Sequence, residues 1–209
     1  FHPIKNITTG EGGMVVSHDG ELVDHIRRLK FHGLAKDAWQ RYSRKGSIVM
    51  EVSEPGFKYN FPDILASLGL TQLQKLDAFN RRRKELVAIY DELFKGIDEL
   101  KPIGRPGYPH KHTHHLYIVQ LDIDKTGMSR DEFVDQLKAR NIGVGIHFRA
   151  AHLHEYYQKQ GRWPRGSLPN TEWASDRIMS LPLFPNMVDD DVRDVMAAVK
   201  DILKSRGAP

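Results

Sequence analysis

Residues 1–16 read FHPIKNITTGEGGMVV. Lys5 stands between a short apolar start and a glycine-rich turn, and the apolar run Met14-Val15-Val16 follows. Asn6, Thr8 and Thr9 are its polar neighbours. Three readings of that lysine compete. Most lysines are solvated surface charges. A phosphate-binding loop requires its glycines before the lysine and a Ser or Thr directly after it. Here the glycines come after and Asn6 comes next, so the phosphate reading fails on order. The GEGG turn is not a dinucleotide fingerprint either. The covalent reading stands beside the surface one. A lysine whose pKa is drawn down by its site forms a Schiff base with a carbonyl cofactor. Small residues and glycines nearby let the backbone approach such a group.

Composition narrows the classes. With 209 residues and 40% apolar content, the chain can bury one large core or two small ones. It has no cysteine, which excludes disulfides, thiolate catalysis and cysteine-held metals and fits a reducing compartment such as the cytoplasm. No apolar run approaches the roughly 20 residues that span a bilayer, so membrane insertion is not expected. The net charge of +4 suits an anionic ligand and is too mild to imply nucleic acid. The chain begins with Phe1, inside what reads as a motif, and the expectation is the C-terminal part of a longer protein.

Outward from the lysine, Gly12 to Val16 reads as a turn entering a strand that ends at His18-Asp19-Gly20. Glu21 to Phe31 carries Leu22, Ile26 and Leu29 at helical spacing, and Gly33 stops it. From Ala35 to Glu54 the pattern dissolves into a long loop, expected to order over substrate. Pro62 to Ile97 is helical, with Leu65, Leu68, Leu73 and Leu76 apolar and Leu86, Ile89, Tyr90 and Leu93 continuing the stripe. Gly69 and a change of phase near Asp77 predict two helices or a bend. Residues 101–110, KPIGRPGYPH, read as a linker at a domain seam.

Further on, Leu116 to Leu121 predicts a strand. Ser129 with Glu132 three residues later predicts a capping box. Phe133, Val134 and Leu137 line the core face of that helix, and Asn141-Ile142-Gly143 ends it. Val144 to Phe148 reads as a short strand, and Val188 to Leu203 as a last amphipathic helix. Alternating strands and helices indicate an α/β or α+β layout.

Two clusters invite other functions. In His110-Lys111-His112-Thr113-His114-His115 alternate imidazoles would face one side of a strand, as in a metal site. No Asp or Glu stands beside them, and a polar strand entry is the commoner outcome, so no metal is expected. Arg81-Arg82-Arg83-Lys84 lies in an amphipathic helix without interleaved aromatics and reads as a solvated face with dimer salt bridges rather than a nucleic-acid site.

The run FHPIKNITTGEGGMVV resembles the cofactor-lysine segment of the DegT-like sugar aminotransferases, pyridoxal-phosphate enzymes of fold-type I. The likeness continues through LKFHGL, PGFKYNFPDILASLGLTQLQKL, HLYIVQLD, GVGIHFRAAH and SLPLFP. GIHFRAAHLHEYY and SLPNTEWASDRIMSLPLFP look closest to the members that make UDP-4-amino-4-deoxy-L-arabinose for lipid A modification and polymyxin resistance.

The resemblance implies an α/β fold in which residues 1–70 complete the large, cofactor-binding domain. Residues 71–209 then form the long helix and the small α/β domain. It makes Lys5 the lysine that binds pyridoxal 5'-phosphate and moves the proton. Relatives with histidine at that place are dehydratases, so lysine implies transamination. It makes Asn60 a ligand of the cofactor phosphate in the neighbouring subunit of a homodimer. The residue reading alone would make Asn60 a turn or N-cap asparagine. His147 and Arg149 would face the sugar nucleotide, with Lys58 and Tyr59 as further substrate contacts. His32 closes a helix. The implied partners are a UDP-linked 4-keto pentose and the glutamate/2-oxoglutarate pair. A different keto-hexose, or a dimerising fragment without catalysis, is the alternative. The family's cofactor-ring aspartate, its stacking aromatic and its phosphate turn would lie upstream of Phe1, so residues 1–209 alone are expected not to transaminate.

Overall fold

The computed structural model describes residues 1–34 and 50–205. The expected loop over 35–54 lies mostly outside the described residues. Two compact units divide the chain, Phe1–Leu76 and Asp77–Pro209.

The first unit opens with a closed loop. The α-amino group of Phe1 donates to the carbonyl of Gly12 at 2.8 Å, and the Thr9 N–H to the carbonyl of Phe1 at 3.1 Å. Thr9 is buried at 2% exposure, and its hydroxyl donates to the Glu11 carbonyl at 2.6 Å. Met14, Val15 and Val16 are exposed and form no ladder among the described residues, contrary to the expected strand. An apolar run becomes a strand only when another backbone pairs with it, and among the described residues none does.

Helix α1, Gly20–Leu29, starts where Asp19 accepts from the Leu22 N–H at 3.0 Å, an N-cap. Lys30 caps its C-terminus in the right-handed region, and His32, two residues further, is left-handed at φ 61°. The segment 53–59 returns alongside its C-terminal end. Phe57 N–H donates to the Leu29 carbonyl and Tyr59 N–H to the Lys30 carbonyl, both at 2.7 Å. Gly33 and Gly56 make this crossing possible. A Cβ on Gly33 would sit 1.8 Å from the Glu54 carbonyl oxygen, and one on Gly56 2.1 Å from the Gly33 nitrogen.

Helix α2, Asp63–Leu93, is one continuous element of 31 residues rather than the two helices or bend expected from Gly69 and Asp77. Gly69 has another reason to be small: a Cβ there would lie 3.0 Å from the Thr9 methyl, so the glycine lets the Lys5 loop dock on the helix. The early turns leave Ile64, Leu68, Leu70 and Leu73 exposed, while Leu86, Val87 and Tyr90 are buried.

The second unit is a three-stranded antiparallel sheet covered by helices. Strands β1 (Leu100–Pro102), β2 (Tyr117–Leu121) and β3 (Ile178–Leu181) lie in that order. Leu100 opposes Leu121, and Tyr117 opposes Leu181. The start of the expected linker at 101–110 is therefore an edge strand, since Lys101 pairs with Gln120 and Pro102 with Val119. In β2, Tyr117, Val119 and Leu121 point into the core, as period-2 alternation requires.

Two short helices, α3 (Ile123–Thr126) and α4 (Arg130–Ala139), follow. Ser129 caps α4 and accepts from the Glu132 N–H at 3.2 Å, while Glu132 accepts from the Ser129 N–H at 2.8 Å. The capping box is thus present as read. Phe133, Val134 and Leu137 are buried, as are Val192, Val195, Met196, Val199 and Ile202 of the last helix, Asp189–Lys204. Each such side chain contributes roughly 1.5–3 kcal/mol by leaving water.

The arginine run is not a solvated face throughout. Arg83 is buried, and its Nη1 donates to the carbonyls of His114, His115 and Leu183 at 3.2, 3.1 and 2.9 Å. Arg82 donates to the Met187 carbonyl and to Asp189, both at 2.8 Å.

Candidate active site

In the first unit the candidate residues sit on the two docked loops. Lys5 is exposed on the loop that the Phe1, Thr9 and Gly12 hydrogen bonds close. Its own N–H donates to the His2 carbonyl at 3.0 Å, closing a tight turn. Thr8 ties the loop to α2 through its N–H, which donates to Gln72 Oε1 at 3.3 Å. Gly12 adopts φ +139°, and a Cβ there would be 2.6 Å from the Phe61 ring. The lysine therefore stands on a short segment held at both ends and packed beneath by Phe61 and Gly69. A flexible four-carbon stem gains a defined aim only from a base of this kind.

Lys58 and Tyr59 are both exposed, but each is engaged. The Lys58 ammonium lies 4.1 Å from the centroid of the Phe31 ring, and Tyr59 stacks on Phe57 at 5.0 Å with the rings 1° from parallel. Glu54 secures this segment. It accepts from Arg28 Nε at 3.0 Å and pairs with His25 at 2.7 Å, and these bonds, Arg28 first, hold its carboxyl below the usual range. Asn60 is exposed directly after it.

In the second unit, His147 and Arg149 lie on the segment after α4. The expected strand over 144–148 reduces to one bridge, Gly145 with Ser180, closed by hydrogen bonds of 3.1 and 2.7 Å. Gly145 must be glycine, because a Cβ there would strike the His147 ring at 2.5 Å. His147 Nδ1 bonds the Ser180 hydroxyl at 2.9 Å. Arg149 is exposed, while Ala150 behind it is buried. A short 3-10 turn, Ala151–Leu153, and two short helices, α5 (Glu155–Lys159) and α6 (Pro169–Ser175), follow.

His152 and Glu172 escaped the sequence reading. Both are buried, and His152 Nε2 lies 3.0 Å from Glu172 Oε1. Glu172 also accepts from the N–H groups of Gly166 and Leu168. The Gly166 N–H first, and then His152, hold its carboxyl below the ordinary value. An acid in the first turn of a helix normally faces water, and nothing local announces a histidine twenty residues upstream.

Among the described residues no group of three or more His, Asp or Glu side chains is arranged to hold a metal. The rings step along the chain, with His110 and His112 centroids 6.2 Å apart and those of His112 and His114 4.4 Å apart. Among the described residues no helix is long and apolar enough to cross a membrane.

This mixed helix–sheet architecture is that of the pyridoxal-phosphate-dependent aminotransferases. Over residues 1–200 the chain matches the DegT/DnrJ/EryC1/StrS aminotransferase family, and it belongs to that family. An uncharacterized protein of Methanocaldococcus jannaschii is 45% identical over 204 residues, which cover 97% of this chain and 52% of that protein. Among solved structures, Streptococcus pneumoniae Spr1654 in its PMP form superposes with a TM-score of 0.84 at 28% identity, covering 98% of this chain and 52% of that one. Its PLP form superposes with a TM-score of 0.83 at 26% identity, over 100% of this chain and 51% of that one. Helicobacter pylori PseC, an aminotransferase involved in the biosynthesis of pseudoaminic acid, gives 0.83 at 27% identity over 98% of this chain and 52% of its own. The chain spans about half the length of the relatives it matches.

The family's cofactor is pyridoxal phosphate, and the donor set of the first unit fits it. Lys5 offers a primary amine on a braced loop, the group a carbonyl requires. Asn60 offers an exposed amide, which donates to phosphate without adding charge.

Proposed function

We propose that the whole protein is a sugar aminotransferase that moves an amino group from glutamate to C4 of a nucleotide-linked 4-keto sugar, specifically a UDP-linked 4-keto pentose. The family match supports the reaction class. The likeness of 145–157 and 167–185 to the makers of UDP-4-amino-4-deoxy-L-arabinose supports the sugar, and with it the role in lipid A modification and polymyxin resistance. Residues 1–70 would then complete the cofactor-binding domain and 71–209 the long helix and small domain. The protein would act as a homodimer in the cytoplasm.

Bound pyridoxal phosphate supplies the electron sink and carries the amino group between donor and acceptor. The protein's residues supply aim and protons. Lys5 Nζ would act as base at the donor's α-carbon in the first half-reaction and as acid at the acceptor's C4 in the second, the cofactor carbon being the other end of each proton shift. Asn60 Nδ2 would donate to a phosphate oxygen, across the dimer interface. Arg149, whose fork matches paired oxyanions, would take the diphosphate. His147 spends Nδ1 on Ser180 and keeps Nε2 for a sugar hydroxyl. Lys58 and Tyr59 would flank the substrate, Lys58 as a cation braced on Phe31.

The observation that carries this reading is the exposed Lys5 on its closed, helix-docked loop. The test is borohydride reduction of the full-length protein with pyridoxal phosphate, followed by intact mass and peptide mapping. One reduced pyridoxyl group on Lys5 is expected, together with turnover of glutamate and the UDP-keto-pentose. An adduct on another lysine would overturn the assignment. Turnover of a keto-hexose alone would move the substrate and leave the reaction class standing. A second reading, that residues 1–209 by themselves dimerise without catalysing, draws support from their spanning half of the relatives' length.

A further inference from the structure

The segment 145–152 is tied to 172–180 at every second or third residue. Gly145 bridges Ser180 through two backbone bonds. His147 reaches the Ser180 hydroxyl at 2.9 Å, and the Ala150 N–H donates to Ser175 Oγ at 2.9 Å. His152 reaches Glu172 at 3.0 Å. His152, Glu172, Ser175 and Ser180 are each less than one-tenth exposed. Between these ties Ile146, Phe148 and Arg149 face outward.

Burying four polar side chains is costly unless each finds its partner, and an apolar core would serve stability as well or better. A fully satisfied buried network instead fixes one arrangement. The chain has put this network under the one segment that carries Arg149. Further bonds extend it. Gln158 donates to the His152 carbonyl at 2.6 Å, and Arg130, from α4, donates to the carbonyls of Ser175 and Ile178 at 3.2 and 2.9 Å.

We propose that Glu172 and Ser175 are positioning residues that hold the 147–152 segment so that Arg149 meets the diphosphate of a nucleotide sugar in a single posture. This rests on the nucleotide-sugar reading above. Arg149 touches the ligand; Glu172 acts on it through His152, and Ser175 through the backbone of Ala150. A guanidinium on a free loop would lose much of its rotamer entropy on binding, whereas a base already fixed lessens that loss.

UDP is the probe, titrated calorimetrically into the full-length protein loaded with pyridoxal phosphate. Arg149→Ala is expected to weaken UDP binding roughly thirtyfold, the scale of a charge-assisted contact, and Ser175→Ala and Glu172→Ala about tenfold each through the loss of its fixed posture. Glu172→Gln, which still accepts from Gly166 and Leu168, should recover most of the loss. Each double variant with Arg149→Ala should bind no more weakly than Arg149→Ala alone, since the two act on one contact. In Ser175→Ala and Glu172→Ala the KM for the nucleotide sugar should rise while the glutamate half-reaction keeps its rate.

Should Glu172→Ala fail to fold, Ser175→Ala and Glu172→Gln decide the matter. Additive losses in the double variants, or UDP binding untouched in Ser175→Ala while Arg149→Ala weakens it, would overturn the positioning role alone. No UDP binding by a wild-type protein that still forms the Lys5 adduct would overturn the nucleotide-sugar reading and this proposal with it.

Discussion

Arg83 donates one guanidinium nitrogen to the backbone oxygen of His114, 3.2 Å away, and the same nitrogen reaches His115 and Leu183. A single buried cation thus gathers the strand entry before β2 and the exit after β3. The gain is three charge-assisted bonds. The cost is a desolvated charge, seen in the lowered pKa, and a buried Nε without a partner. The bonds win modestly. Arg83→Met should destabilise the fold by about 2 kcal/mol in urea unfolding, near the cost of stranding buried carbonyls. Arg83→Lys should restore part of the loss, because the three carbonyls converge on one nitrogen and an ammonium, though on a shorter stem, carries three N–H donors. A methionine variant as stable as wild type would refute the bridging role.

His114 itself gives a pH signature. Burial first, and His112 second, lower its pKa from 6.5 to about 4, with Arg105, Asp91 and Lys84 also bearing on it. The unfolded ring takes its proton near 6.5 while the folded one resists until about 4. Stability is therefore fully present above pH 6.5 and drains away as pH falls toward 4. His114→Asn should flatten the melting temperature across this window. Asparagine suits the exchange because it tolerates the left-handed backbone that His114 adopts at φ 47°. A wild-type melting curve level from pH 7 to 4 would contradict the expectation.

Gly12→Ala should disturb Lys5 from a distance. The new methyl would meet the Phe61 ring at 2.6 Å, on a backbone at φ +139°. Strain of this kind costs of order 1–3 kcal/mol. The loop relieves it by lifting off Phe61, so borohydride trapping at Lys5 should fall severalfold in the full-length protein while the second unit's near-ultraviolet dichroism stays unchanged. Undiminished trapping would show that the loop's packing does not aim the lysine.

Lys5→Ala in the full-length protein should abolish the pyridoxyl adduct and lower transamination at least a hundredfold, the lower range for losing a general acid–base group. Residues 1–209 expressed alone should show no turnover, and turnover by that fragment would refute the need for an upstream half.

Much of the second unit was legible in the chain. Ser129 with Glu132, the alternation of Tyr117, Val119 and Leu121, and the Val192–Ile202 stripe are local patterns, and local patterns survive in sequence. The Lys5 segment and the family it belongs to were legible from motif order. What escaped depends on contacts distant along the chain. Gly69 reads as a helix breaker until Thr9 is seen lying on it. Arg83 reads as surface charge until three carbonyls are seen around it. Glu172 gives no sign of His152. Met14-Val15-Val16 shows the opposite failure, since its strand propensity is plain but a ladder needs a second strand.

That bare run has a consequence for handling the protein. Met14, Val15 and Val16 are 74%, 65% and 84% exposed, and Ile64, Leu70 and Leu73 of α2 are open as well. Surfaces of this kind are sticky, and an unpaired apolar edge is a template for its own kind. A preparation of residues 1–209 should therefore bind hydrophobic dyes strongly and grow more turbid with concentration and with added sulfate.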